Sequence, residues 1–268
     1  MVRGVYDYAK LDAQGEGRAA AERMEARAVE PASEALFQAL VAPLLGPGTK
    51  RVLEVGAGPG ALARRVAKAA PHARVFASDK SAAMVAYAKE RAPYIEFRPW
   101  DANDEAAFPF DPAGPFDLIL SSVMVPYLTD EQTTSLVGRL AGRLAPGGVL
   151  AFIEQDLQTD TLAYPDFDLL SRVFAKDARK LKRTLALGLR PVLRDAGLGV
   201  LPRASFLWTS DDYGPYLRDL LGRLGTDAVR TGSITEDERQ TFGLTLEELS
   251  AREDFAYGLV YHRIAGRR

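Results

Sequence analysis

The chain has 268 residues, 47% hydrophobic and 26% charged, with a net charge of −2 and no cysteine. That length supports one large domain or two small ones, and the near-neutral balance lacks the basic excess with which nucleic-acid binders neutralise phosphates. Without cysteine there are no disulfides, thiolate metal sites or cysteine nucleophiles, and with His72 and His262 as the two histidines no metal centre is expected.

The first residues, MVRGVYDYAK, lack a signal peptide's apolar core, and no apolar run approaches the ~20 residues that span a bilayer. A cytoplasmic protein with no membrane partner is the expectation. Residues 15–46 are rich in alanine, glutamate and arginine and read as helix, with Pro31 opening a second one. GPGTK (46–50) is a turn. RVLEV (51–55) then reads as a strand, ALARRVAKAA (61–70) as a helix, ARVFAS (73–78) as a strand and SAAMVAYAKERA (81–92) as a helix. YIEFRPW (94–100) and FDLILSS (116–122) are further strands. A helix begins near Asp130, and APGGVLAFIE (145–154) turns into a fifth strand.

These strands are continuous apolar runs, as expected where helices cover both faces of a sheet. Their alternation with helices predicts an open α/β fold with a mostly parallel sheet. Farther on, residues 167–199 read as mostly helical, ASFLW (204–208) as a strand, 210–253 as polar helices and 255–266 as a closing strand. One domain of seven strands is expected. Its core comprises 45–158, 184–208 and 255–266, and its helical lid 1–44 and 210–253, with 159–183 as a further lid segment.

In such sheets ligands bind at the carboxyl ends of the strands, and the informative residues cluster there. Gly56, Ala57, Gly58 and Gly60 follow an apolar strand and permit close backbone approach to a ligand. Read as G-x-G-x-x-A, this loop fits NAD or FAD, and it fits the glycine loop of other nucleotide enzymes equally. Asp79 ends the second strand, where a carboxylate can accept from both ribose hydroxyls, or cap the following helix beside Ser81. Asp101, after the third strand, can accept from an adenine amino group. Glu54 sits inside an apolar strand, where a buried carboxylate calls for a cation such as a ligand ammonium. Exposure, or pairing with Arg51, is the alternative.

VLEVGAGPG, FASDKS, WDA, FDLILSSVMVPYL and LAPGGVLAFIE stand in the order and spacing of the class I S-adenosylmethionine-dependent methyltransferases. The chain most resembles the small-molecule "type 11" group, which is ubiquinone/menaquinone-methyltransferase-like. The resemblance covers residues 50–156 and, more loosely, LRPVLRDAGL (189–198) and the final YHRIAGR. It implies a Rossmann-like fold with S-adenosylmethionine as cofactor and a small-molecule acceptor methylated on oxygen, nitrogen or carbon. It places Gly56, Gly58 and Gly60 against the methionine and ribose, Asp79 on the ribose hydroxyls, Lys80 and Met84 beside the adenine, and Asp101 and Ala102 at the adenine edge. Ser121 and Ser122 would face the methyl donor.

Methyl transfer from a sulfonium is an in-line displacement, so alignment and water exclusion dominate, and a base is needed only where the nucleophile must lose a proton. Many relatives carry a histidine pair after the fourth strand. This chain has VMVPYL there, which leaves Tyr127, His262 and Glu154 (with Asp156 nearby) as candidate catalytic groups. Tyr6, Tyr8, Tyr127, Trp208 and Tyr213 are candidate substrate-binding residues. The basic run 176–183 reads as a solvated helix face. The competing readings are an NAD(P)-dependent oxidoreductase, which would need a Tyr-x-x-x-Lys pair that does not follow strand four or five, and a non-catalytic S-adenosylmethionine-binding protein. A nucleic-acid methyltransferase is disfavoured by the charge balance.

Overall fold

In a computed structural model, which describes residues 12–13, 15–104, 108–110, 114–175 and 185–268, the strand–helix alternation forms one mixed sheet with helices packed on it. Tyr6, Tyr8 and the basic run 176–183 lie outside the described residues. Two N-terminal helices, α1 (Gly17–Val29) and α2 (Pro31–Leu40), precede β1 (Arg51–Val55), α3 (Ala61–Ala69), β2 (Arg74–Asp79), α4 (Ala82–Arg91) and β3 (Glu96–Pro99). There follow β4 (Phe116–Ser122), α5 (Asp130–Gly142), β5 (Leu144–Leu162), α6 (Phe167–Ala175) and α7 (Leu185–Asp195). The chain ends with β6 (Gly199–Val200), β7 (Ala204–Ser210), α8 (Pro215–Arg230), α9 (Glu236–Ala251) and β8 (Tyr257–Arg267).

The strand order is β3-β2-β1-β4-β5-β8-β6, with β7 also paired to β8. The sheet therefore has eight strands, one more than the sequence reading. The extra strand is the two-residue β6, too short to leave a periodic signal, which pairs antiparallel with β8 at Gly199↔Arg267. Strands β3, β2, β1, β4 and β5 run parallel, in the register Val52↔Leu118↔Val149.

Two compact units divide the chain. Of the described residues, the first comprises those between 12 and 155, 185–206 and 261–268. Its core joins Leu53, Val55, Phe76, Phe116, Ile119 and Phe152, and the Phe76 ring meets Phe116 edge-on at 5.5 Å. Each such side chain, removed from water, contributes about 1.5–3 kcal/mol. The N-terminal helices belong to this unit. Ala20 and Ala21 of α1 pack on Met84 and Tyr87 of α4, while Arg64–Glu25 and Arg65–Glu34 ion pairs tie α3 to α1 and α2.

Of the described residues, the second unit comprises 156–175 and 207–260. Trp208 meets Tyr216 and Tyr257 edge-on, and Tyr213 packs on Phe255. Trp208 and Tyr213 are 2% and 5% exposed, so both are interior residues of this unit and not the pocket-lining aromatics that the sequence led us to expect. Large aromatics give their greatest stabilisation when buried, which a sequence cannot separate from a pocket role. No helix among the described residues is long and apolar enough to cross a membrane.

Candidate functional site

The chain turns sharply as β1 ends. Gly56 and Gly60 have φ of +72° and +81°, a conformation that L side chains rarely adopt. A Cβ on Gly56 would lie 2.6 Å from the Met124 sulfur, and one on Gly60 would lie 2.7 Å from the Phe97 ring. Gly60 thus serves the packing of α3 on the sheet. It does not line the cavity described below, contrary to its expected cofactor contact. Gly60→Ala should lower stability by about 1–3 kcal/mol through strain and overpacking, read as a fall of several degrees in Tm by scanning calorimetry.

Asp79, at the end of β2, braces this loop. Its Oδ2 accepts from the Gly58 N–H at 2.8 Å and its Oδ1 from the Ser81 N–H at 2.9 Å. Burial raises its carboxyl above the ordinary aspartate range, against the opposing pull of those two N–H groups. Ser81 itself caps α4, accepting from Met84 N–H at 3.1 Å, and its hydroxyl donates to Asp12 at 2.7 Å. After β3, Asp101 accepts from Asn103 N–H at 2.9 Å, and Arg139 of α5 donates to the carbonyls of Ala102 and Asp104.

One cavity runs along these strand ends within the first unit. Glu54, Gly56, Ala57, Gly58, Asp79, Lys80, Met84, Asp101 and Ala102 all line it. Trp100, Pro59 and Leu62 join them. Ser122 at the end of β4 and Met124 and Tyr127 beyond it extend the wall, with Ile153 from within β5 and Tyr261 from β8. Met24, Arg27, Phe37 and Val41 of the N-terminal segment complete it, beside Arg65 of α3.

Three expected site residues fall on the wrong face of their strands. Side chains alternate across a strand, so of two adjacent residues only one faces a given cavity. Ser122 lines it, while Ser121 is fully buried in the sheet. Ile153 lines it, while Glu154 turns away and accepts from the Met124 and Val125 N–H groups. Tyr261 lines it, while His262 bonds Ser205 through Nδ1 at 2.7 Å. Ser121, Glu154 and His262 are therefore not cavity groups. Asp156 accepts from the Gln158 N–H on its own strand.

Glu54 is 3% exposed and makes no ion pair with Arg51. Its Oε2 and the indole N–H of Trp100 are both buried without a protein partner. Burial pushes the carboxyls of Glu54 and Glu154 up to about 8. An unfolded glutamate titrates near 4.5, so between pH 4.5 and 8 the folded state holds more protons than the unfolded one. Stability is therefore greatest at the acid end of that window and falls as pH rises to 8. Calorimetric Tm values across it should decline, and Glu54→Gln should flatten the decline.

Residues 52–148 match the family described as a methyltransferase domain. The trans-aconitate 2-methyltransferase of Variovorax paradoxus is 36% identical to this chain over 129 residues, covering 48% of this chain and 46% of that protein. That of Methylobacterium radiotolerans is 35% identical over 153 residues, covering 57% and 53%. The chain thus spans about half the length of these curated relatives. Among solved structures, phosphoethanolamine N-methyltransferase 2 of Haemonchus contortus, in complex with S-adenosyl-L-methionine, has a TM-score of 0.56 at 16% identity. The match covers 99% of this chain and 61% of that one, and it is a likeness of fold.

Proposed function

We propose that the chain, whose residues 52–148 match the family described as a methyltransferase domain, binds S-adenosylmethionine in the strand-end cavity and methylates a small molecule. The observation that carries the reading is the convergence of Glu54, Asp79 and Asp101, from the ends of three neighbouring strands, on one cavity floored by the glycine loop.

The residues fit that cofactor on two counts. Gly56 and Gly58 present loop backbone to the cavity, and Glu54 Oε2 is a buried acceptor without a partner, suited to an ammonium. In this reading Asp79 holds the ribose hydroxyls, Asp101 and Ala102 meet the adenine edge with Lys80 and Met84 beside it, and Glu54 takes the amino group. The bound cofactor supplies an already activated methyl carbon. The chain's task is to orient the acceptor in line with it and to exclude water. The N-terminal residues Met24, Phe37 and Val41 cover the cavity, a lid role for that part of the chain.

The acceptor space in this reading lies toward Tyr127, Ile153 and Tyr261, and Arg27 and Arg65, the latter paired with Glu34, line the same cavity. A carboxylate-bearing acceptor suits it. Its oxygen has no proton to lose at neutral pH and so needs no base. The trans-aconitate 2-methyltransferases among the relatives support including trans-aconitate in the test.

The test incubates the protein with S-adenosylmethionine and a panel of carboxylates, phenols and amines, and detects S-adenosylhomocysteine by mass spectrometry. Formation that depends on one carboxylate is the expected result. Formation with an amine alone overturns the carboxylate assignment. Cofactor binding with no turnover on the panel favours a non-catalytic binding protein.

A further inference from the structure

Glu154 ends the apolar run of β5, where its carboxyl is 1% exposed and its Oε2 is buried without a protein partner. Its Oε1 accepts from two successive backbone groups, Met124 N–H and Val125 N–H, each at 3.3 Å. The preceding N–H, that of Val123, donates to the Ile153 carbonyl at 2.9 Å. Three consecutive amides of the loop after β4 are thus held by the middle of β5, one through its backbone and two through Glu154.

That loop needs holding. Val123 has φ of +53°, and a β-branched residue in the left-handed region is strained unless its surroundings impose the conformation. Amides converging around a left-handed residue form a concave anion-binding nest, and here a side chain of the same protein fills it. The consequence reaches the cavity. Ser122, Val123, Met124 and Tyr127 line it, and the Met124 side chain lies against Gly56.

We propose that Glu154 is a positioning residue: it occupies the backbone nest at Val123–Val125, and so fixes the cavity wall that abuts the glycine loop. This replaces its expected role as a catalytic base, since its carboxyl does not line the cavity. The binding consequence rests on the proposed cofactor reading. The structural one does not.

The four methionines provide a readout that needs no ligand. In protein labelled with ¹³C at the methionine methyls, the Met124 resonance is assigned by Met124→Leu. Glu154→Gln keeps an oxygen that accepts both amides and should leave this resonance in place. Glu154→Ala should shift or broaden it, and adding Val123→Gly should return it toward the wild-type position, because glycine adopts the turn without strain. If Glu154→Ala does not fold, Glu154→Asp, one methylene short of the amides, takes its place with the same expectation.

In parallel, calorimetric affinity for S-adenosylhomocysteine should fall about tenfold or more in Glu154→Ala and stay within about threefold in Glu154→Gln. An unchanged Met124 resonance in Glu154→Ala overturns the inference. So does a Glu154→Gln protein as perturbed as Glu154→Ala, which would make the negative charge the essential feature. Failure of the wild-type protein to bind S-adenosylhomocysteine counts against the cofactor reading alone, because the resonance arm still decides the role of Glu154.

Discussion

Asp79→Ala should weaken S-adenosylhomocysteine binding by about 100-fold or more, equivalent to roughly 2.7 kcal/mol. The size follows from two losses at one position. Asp79 fixes the glycine loop through Gly58 N–H and the start of α4 through Ser81 N–H, and in the proposed complex its carboxylate also accepts from the ribose. Hydrogen bonds to a charged group are each worth about 1.5–3 kcal/mol, and removal of the acceptor leaves buried donors unsatisfied. Calorimetric titration gives the affinity, and a thermal scan of the free protein separates loop collapse from lost ligand contact. Affinity within about threefold of wild type would remove Asp79 from the binding site.

Binding should also release a proton through Glu54. In the free protein its carboxyl titrates near 8, so it is largely neutral at pH 7. A bound ammonium favours the charged form and lowers that value. Association then expels a proton, and affinity rises with pH up to about 8, by as much as roughly tenfold per unit. Titrations at pH 7 in phosphate and in Tris, whose ionisation enthalpies differ, should give different apparent binding enthalpies, with nearly one proton released. Glu54→Gln should abolish both the release and the pH slope and weaken binding by about tenfold. Equal enthalpies in the two buffers for the wild-type protein would mean that Glu54 meets no cation.

The part of the cavity formed by the ends of β1, β2 and β3 was legible in the sequence because its signals are local. A glycine loop follows an apolar strand directly, Asp79 ends a recognisable strand and Asp101 stands just past one, where position along the chain alone brings them to the sheet's carboxyl edge. Farther along, the reading failed at the level of strand parity. Ser121 against Ser122, Glu154 against Ile153 and His262 against Tyr261 are decided by which face each strand turns to the cavity. That face follows from pairing register, which continuous apolar strands do not reveal because both of their faces are buried.

Chemical type misled in the same places. A titratable Glu154 or His262 attracts a catalytic role, whereas the neighbours that reach the cavity, Ile153 and Tyr261, look like ordinary core. Trp100 was overlooked for the same reason, although Arg139 holds the loop that follows it and the indole N–H is buried without a partner. In the second unit, Trp208 and Tyr213 carried an aromatic signal that packing explains.

The most direct test of the cofactor assignment is calorimetric titration of the wild-type protein with S-adenosylhomocysteine and, separately, with NAD⁺. Saturable 1:1 binding of S-adenosylhomocysteine with no heat from NAD⁺ is the predicted result. Saturable binding of NAD⁺ with none of S-adenosylhomocysteine would contradict it.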